Sequence, residues 1–361
     1  MATRCIEPTL EPVAATPPCD TGKDCESAGV GRLAHLFRRS LGRGEVHPLL
    51  HVLKRHHGVG DGMTGLQPLP SAPLAAAPKA RIGIDDLSRR VGSLPSLPQS
   101  VLEVTALLQQ EGASANAVAE CIERDQALTV RTLRAANTAF YGAPGRVATI
   151  RTAIAVLGLR TVAALLTTAA VSAQFADSDR CAEFHFKDFW RNALTAALVA
   201  RSLAHSAGLD GEVAFTAGLL HDIGALVLAT QFPAENGIAL RFACEHDLPV
   251  LHVERAVLGV DHCVAGETLA RHWRLPPALA QALALHHEPA PDPAGAPTLA
   301  ELVNVADALA HGIQAQSPPR DVVPPVAVAT WERVGVGLPA CVEILRSTAC
   351  GVDALCEALS L

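Results

Sequence analysis

The chain has 361 residues, of which 49% are hydrophobic and only 4% aromatic, and its formal net charge is −7. A negative balance argues against a general nucleic-acid binder, because phosphate binding needs a clustered positive field. Ten cysteines lie scattered without a single CxxC pair, which excludes a secreted disulfide framework and fits reduced thiols in the cytoplasm.

Residues 1–80 are rich in Pro, Gly, Ala and Ser with short periodic runs, so this stretch is expected to be a mostly disordered extension. Within it, residues 31–57 interleave Arg32, Arg38, Arg39, Arg43, Lys54 and Arg55 with leucines and Phe37. Two short basic amphipathic helices fit that pattern, either as a docking arm or as a contact to an anionic membrane or partner. The first 12 residues carry acids and prolines where a signal peptide would have an apolar run. The most apolar stretch, residues 161–176, falls short of the roughly 20 residues that span a bilayer.

From Ile84 the texture of the sequence changes. Leu94-Pro95-Ser96-Leu97-Pro98 is an extended entry to a helix starting near Gln99, with Val101, Val104, Leu107 and Leu108 at helical spacing. Gly112 should stop it. Ser114, Asp125 and Thr149 are N-cap candidates for the next three helices, and Gly158 is a C-terminal stop before a helix over 160–173. The turn Tyr141-Gly142-Ala143-Pro144-Gly145 separates two of them. A second helical block is predicted over 186–207, 211–230, 234–245, 250–258, 262–273, 277–286 and 299–311, and residues 326–361 close the chain in one or two helices. The domain plan is therefore an N-terminal extension (1–80), a first lobe (84–180), a second lobe (181–315) and a closing segment (316–361).

The sharpest chemical signal is Gly218-Leu219-Leu220-His221-Asp222-Ile223-Gly224, an adjacent His and Asp inside an apolar run. A buried Asp is rare unless it is paired or ligates a metal. An imidazole nitrogen beside a carboxylate oxygen suits Fe, Mn or Zn. Asp261-His262, His286-His287 and Asp307 follow at predicted helix ends. One buried His is usually a satisfied core residue; several His and Asp converging from separate helices point to a metal or former-metal site. Arg131, Arg134 and Asn137 share one helix face and suit either a nucleotide or partner contact or hydrogen bonds between lobes.

The segment from Asp86 to His311 resembles the HDOD (HD-related output) domains. The likeness rests on Leu94-Pro95-Ser96-Leu97-Pro98, on Ile122 to Thr129, on Leu133 to Tyr141 and on Ile154 to Gly158. In the second block it rests on Phe189-Trp190-Arg191-Asn192, Gly218 to Gly224, Asp261-His262, Trp273-Arg274-Leu275-Pro276 and His286-His287-Glu288-Pro289. The resemblance implies an all-α fold, a two-lobed helical bundle distantly related to HD phosphohydrolases. It also implies a bacterial signal-transduction output module that binds signalling proteins or a nucleotide second messenger, with no cofactor and no catalysis expected. The alternative is a metal-dependent phosphohydrolase or phosphodiesterase holding Fe, Mn or Zn. The resemblance places the HD pair on His221 and Asp222, the later histidines on His262, His286 and His287, and the closing acid on Asp307. The first histidine of HD enzymes falls on Asn192, whose neutral amide is a poorer transition-metal ligand, so the site is expected to be degenerate. The glycine-tyrosine-proline motif of HD enzymes that cleave cyclic di-GMP is absent, and Glu288-Pro289-Ala290-Pro291 stands after His287 instead.

Overall fold

The computed structural model describes residues 73–108, 114–138, 147–175, 181–246, 248–313 and 323–359. The expected basic helices at 31–57, the disorder expected for the extension, the stop at Gly112 and the turn at 141–145 lie outside the described residues. Among the described residues every regular element is a helix.

The first lobe comprises α2 (Gln99–Leu108), α3 (Ala115–Glu123), α4 (Gln126–Ala136), α5 (Ile150–Leu157) and α6 (Leu159–Gln174). Its helices start where a side chain can accept from otherwise orphaned N–H groups. Ser114 accepts from Ala117 N, Asp125 from Leu128 N and Thr149 from Thr152 N. Gly158, at φ +88°, ends α5 and turns the chain into α6, a conformation that L side chains rarely adopt. Ile150 and Ile154 of α5 are buried, and Leu157 is half-buried against the same core.

The second lobe is built on α7 (Phe186–Ala207), packed against α8 (Gly211–Leu220) and α14 (Leu299–Ile313). Between them run α9 (Ile223–Gln231), α10 (Pro233–Glu245), α11 (Val250–Val257), α12 (His262–His272) and α13 (Pro277–Leu285). The single helix expected over 211–230 is in fact two helices, broken by a turn at His221-Asp222. This corrects the placement of the pair inside a helix: Asp222 sits at φ −98°, ψ 12°, outside helical geometry, as the residue that precedes α9. Among the described residues, Gly211–Gln231 is also the stretch long and apolar enough to cross a bilayer, in place of 161–176. Its most apolar window is 78% buried, and it packs against α7, α12 and α14 as a core element.

Two helices close the chain, α15 (Val328–Val334) and α16 (Leu338–Leu359). α16 packs on both α7 and α4, so it ties the lobes together. A helix the sequence analysis passed over, α1 (Ile84–Gly92), packs against α9 and α12 of the second lobe although it precedes the first lobe in the chain. Its signals are Leu87 and Val91 four apart, acids in the first turn and arginines in the last. Just before it, Ala80 and Ile82 donate backbone hydrogen bonds to the carbonyls of Val257 and Leu258 at the end of α11. One continuous apolar core runs from Ile82 through both lobes to Leu359.

Candidate metal centre

The centre is assembled where four helix ends meet. His221 follows the last residue of α8, and Asp222 precedes α9. His262 opens α12 behind the N-cap Asp261, whose carboxylate accepts from Val264 N. His286 and His287 follow α13. Asp307 comes from the middle of α14, and Asn192 from the second turn of α7. All seven candidate residues are therefore brought together.

Glycines allow this convergence. A Cβ on Gly218 would lie 2.8 Å from the Ala196 carbonyl oxygen, so α8 sits directly on the alanine face of α7. A Cβ on Gly224 would run into the His262 carbonyl and lie 2.5 Å from Gly266 N, so α9 and α12 cross backbone to backbone. That crossing brings His262 next to Asp222. Larger residues at either position would push the ligand-bearing ends apart.

Each of the three buried rings is oriented by its Nδ1. His221 Nδ1 donates to Gly218 O at 2.7 Å, His286 Nδ1 to Leu283 O at 2.9 Å, and His262 Nδ1 to Glu254 Oε2 at 2.6 Å. Their Nε2 atoms then point inward. His221 Nε2 lies 3.3 Å from both Asp222 and Asp307, and His286 Nε2 lies 3.3 Å from Asp222 Oδ1. His262 Nε2 is 3.5 Å from Asp222 Oδ1 and 2.9 Å from His287 Nε2. His221 and His286 are fully buried, while Asp222 keeps 25% of its side chain exposed, so the centre reaches solvent beside Asp222.

The electrostatics favour positive charge here. Burial pulls the His221 ring toward neutrality, but the Asp222 and Asp307 carboxylates outweigh it and hold its pKa well above the usual histidine value. Burial likewise opposes charge on His262, and Glu254 outweighs it. His286 is raised to about 9 against its burial, by Cys263 and Asp222. Burial would raise Asp222, but His221 and the other rings hold it well below the ordinary carboxylate range. His287 goes the other way: burial and its two cationic neighbours keep it neutral.

Sequence reasoning missed three members. Glu254 on α11 is 1% exposed and holds His262; its only sequence signal is an acid in an otherwise apolar helix face. Cys263 adjoins His286, with Sγ 4.0 Å from Nδ1, and shares a ligand-sized cluster with His262, His286 and His287. Burial raises its thiol, but the two imidazoles outweigh that and bring it down to about 7. His311, one turn beyond Asp307, lies 3.6 Å from its carboxylate. Arg131, Arg134 and Asn137 belong instead to α4, which packs against α3, α5, α6 and α16. Asn137 closes a loop by donating to Leu133 O and Val147 O and accepting from Val147 N, and Arg134 donates to Glu357 O on α16.

A metal fits these residues on one observation above all. His221 Nε2, His286 Nε2 and Asp222 Oδ1 are buried polar atoms with no aligned hydrogen-bond partner, and they face one another. Orphaned buried polar atoms are costly unless something satisfies them. An imidazole that donates through Nδ1 and offers a lone pair at Nε2 is the form a metal ligand takes.

The fold and the His–Asp arrangement can be compared with known proteins. The profile of the HDOD domain matches residues 94–289, more than half of the chain. The chain belongs to the HDOD family. A protein of Shewanella amazonensis SB2B, provisionally named a phosphohydrolase, is 25% identical with a TM-score of 0.60, covering 76% of this chain and 97% of its own. An HDOD domain protein of unknown function from Geobacter sulfurreducens superposes with a TM-score of 0.63 at 23% identity, over 75% of this chain and 97% of that one. An uncharacterized protein of Treponema pallidum (strain Nichols) is 25% identical over 205 residues. That match covers 56% of this HDOD chain but only 39% of the relative.

Proposed function

We propose that this HDOD protein is a signal-transduction output module that works by binding a partner, and that its His–Asp centre seats a transition-metal ion without hydrolysing phosphoesters. The observation that carries the second half is Asn192. It occupies the place of the first histidine of HD enzymes, and its Nδ2 lies 3.4 Å from Asp307 Oδ1 while its own Oδ1 is left without a partner. An amide NH₂ aimed at the closing acid occupies a carboxylate that would otherwise serve a cation. The half of the centre nearest Asn192 is therefore the poorer one.

The better half is His262, His286, His287 and Asp222, which together offer nitrogen and oxygen donors suited to Fe, Mn or Zn. A bound ion would supply Lewis acidity and could lower the pKa of a coordinated water. The chain's own residues do the rest. Gly218 O, Leu283 O and Glu254 fix the ring orientations, and Asp222 faces three rings at once.

The second reading, a metal-dependent phosphohydrolase, is favoured by the convergence of three Nδ1-anchored rings on two carboxylates. Metal content by mass spectrometry, with turnover of bis(p-nitrophenyl) phosphate, separates the two for the wild-type chain and Asn192→His. The binding-module reading expects bound metal and no turnover in wild type. It expects at least about tenfold tighter binding in Asn192→His, equivalent to about 1.4 kcal/mol. Wild-type turnover that is lost in His286→Ala would establish the hydrolase instead.

A further inference from the structure

We infer that Glu254 is the positioning residue for the His262 face of the centre, a buried carboxylate that locks the ring so that its Nε2 points inward. The inference rests on the metal-seating reading for its affinity arm and on geometry alone for the rest.

Glu254 comes from α11, which contributes no residue to the His–Asp set. It is 1% exposed, and one oxygen, Oε2, accepts twice from His262: from the backbone N–H at 2.9 Å and from Nδ1 at 2.6 Å. The first bond sits on the N-terminal residue of α12, where the helix leaves N–H groups unsatisfied and its dipole favours a negative charge. The helix end thus offsets the cost of burying the carboxylate. The second bond uses that held carboxylate to keep a proton on Nδ1, so that Nε2 is the nitrogen that gives up its proton and presents a lone pair when a metal binds. A carboxylate behind a ligating histidine sets ring orientation and raises ligand basicity.

The next residue completes a clamp from outside. Arg255 Nε reaches Asp261 Oδ2 at 2.7 Å, and its guanidinium reaches Glu288 Oε1 at 2.8 Å. Asp261 precedes His262 and Glu288 follows His287. Adjacent residues of one helix therefore fasten both segments that bring the facing rings, His262 and His287, to a 2.9 Å nitrogen–nitrogen separation.

The test compares the full-length wild type with Glu254→Gln and Glu254→Ala. Ring ¹⁵N signals of His262 in metal-free protein report the tautomer, and Zn²⁺ and Mn²⁺ dissociation constants report the centre. At a pH above the raised pKa of the ring, wild type should show the neutral Nδ1–H form of His262. Glu254→Ala should move it toward the Nε2–H form and weaken both metals by roughly 10- to 100-fold. Glu254→Gln keeps an acceptor but loses the charge, so it should fall between. Should Glu254→Ala fail to unfold cooperatively, Glu254→Gln decides. A destabilised but folded variant with an unchanged tautomer and unchanged metal affinity overturns the inference, since it would make Glu254 a helix cap only. A tautomer shift with no metal bound by any protein overturns the metal reading alone.

Discussion

The two lobes share one apolar core but treat buried polarity in opposite ways. In the first lobe the buried polar side chains are uncharged hydroxyls, several of which bond back to their own helix, as Thr168 does to Ala164 O and Ser172 to Ala169 O. In the second lobe, His221, Glu254, Asp261, His262, His286, Glu301 and Asp307 are buried, and among the described residues no charged or imidazole side chain before His221 is buried. Burying an ionisable group costs several kcal/mol unless it is paired. The second lobe meets that cost with partners across helices: Glu301 with Arg333, Asp261 with Arg255, and the rings with Asp222 and Asp307. The first lobe is thus built for packing and the second for holding charge, so substitutions in the two should fail differently.

The largest stability loss is expected in the first lobe. Leu165 of α6 is fully buried, and Leu165→Ala should cost about 2–5 kcal/mol through lost transfer energy and a cavity. Its metal content per folded chain should equal that of wild type. Thermal unfolding with metal analysis checks this, and joint loss of metal would show that the lobes are not separable in this way.

Gly224→Ala should be smaller in stability and larger in function. Overpacking a backbone crossing costs typically about 1–3 kcal/mol, and here the strain falls on the segment that carries His262. The expected outcome is a folded protein with a lowered midpoint and much weaker Zn²⁺ and Mn²⁺ binding. Wild-type affinity in this variant would mean that α9 and α12 can separate without moving the rings.

The smallest effect concerns the seam between the lobes. Glu212 at the start of α8 accepts from Thr161 on α6 at 3.0 Å, while its Oε2 is buried without a partner. Burial raises its pKa, against the pull of Arg201. A raised carboxylate disfavours the ionised fold, so this contribution worsens as pH climbs from the ordinary carboxylate range through the raised value. Glu212→Gln should therefore raise the midpoint slightly near neutral pH, with the gain shrinking toward acid. A gain that grew toward acid would reverse the assignment.

The helices of this protein were largely legible in the sequence because local physics writes them there. Ser114, Asp125 and Thr149 cap where cap chemistry predicts, and Gly158 stops α5 because it can adopt a positive φ. The His and Asp residues of the centre could be named from their residue types in apolar surroundings and from the family likeness. Three things needed the tertiary structure. The break at His221-Asp222 is invisible in an apolar run, since both sides are equally good helix. The packing of α1 on the second lobe depends on contacts far apart in sequence. Glu254 gains its role only because α11 lies against the start of α12, and no local pattern distinguishes a buried carboxylate from an exposed one. Capping and periodicity act over a few residues and are therefore carried by the sequence; which ring nitrogen faces which carboxylate is set by how separate helices cross, and only the packed fold decides it.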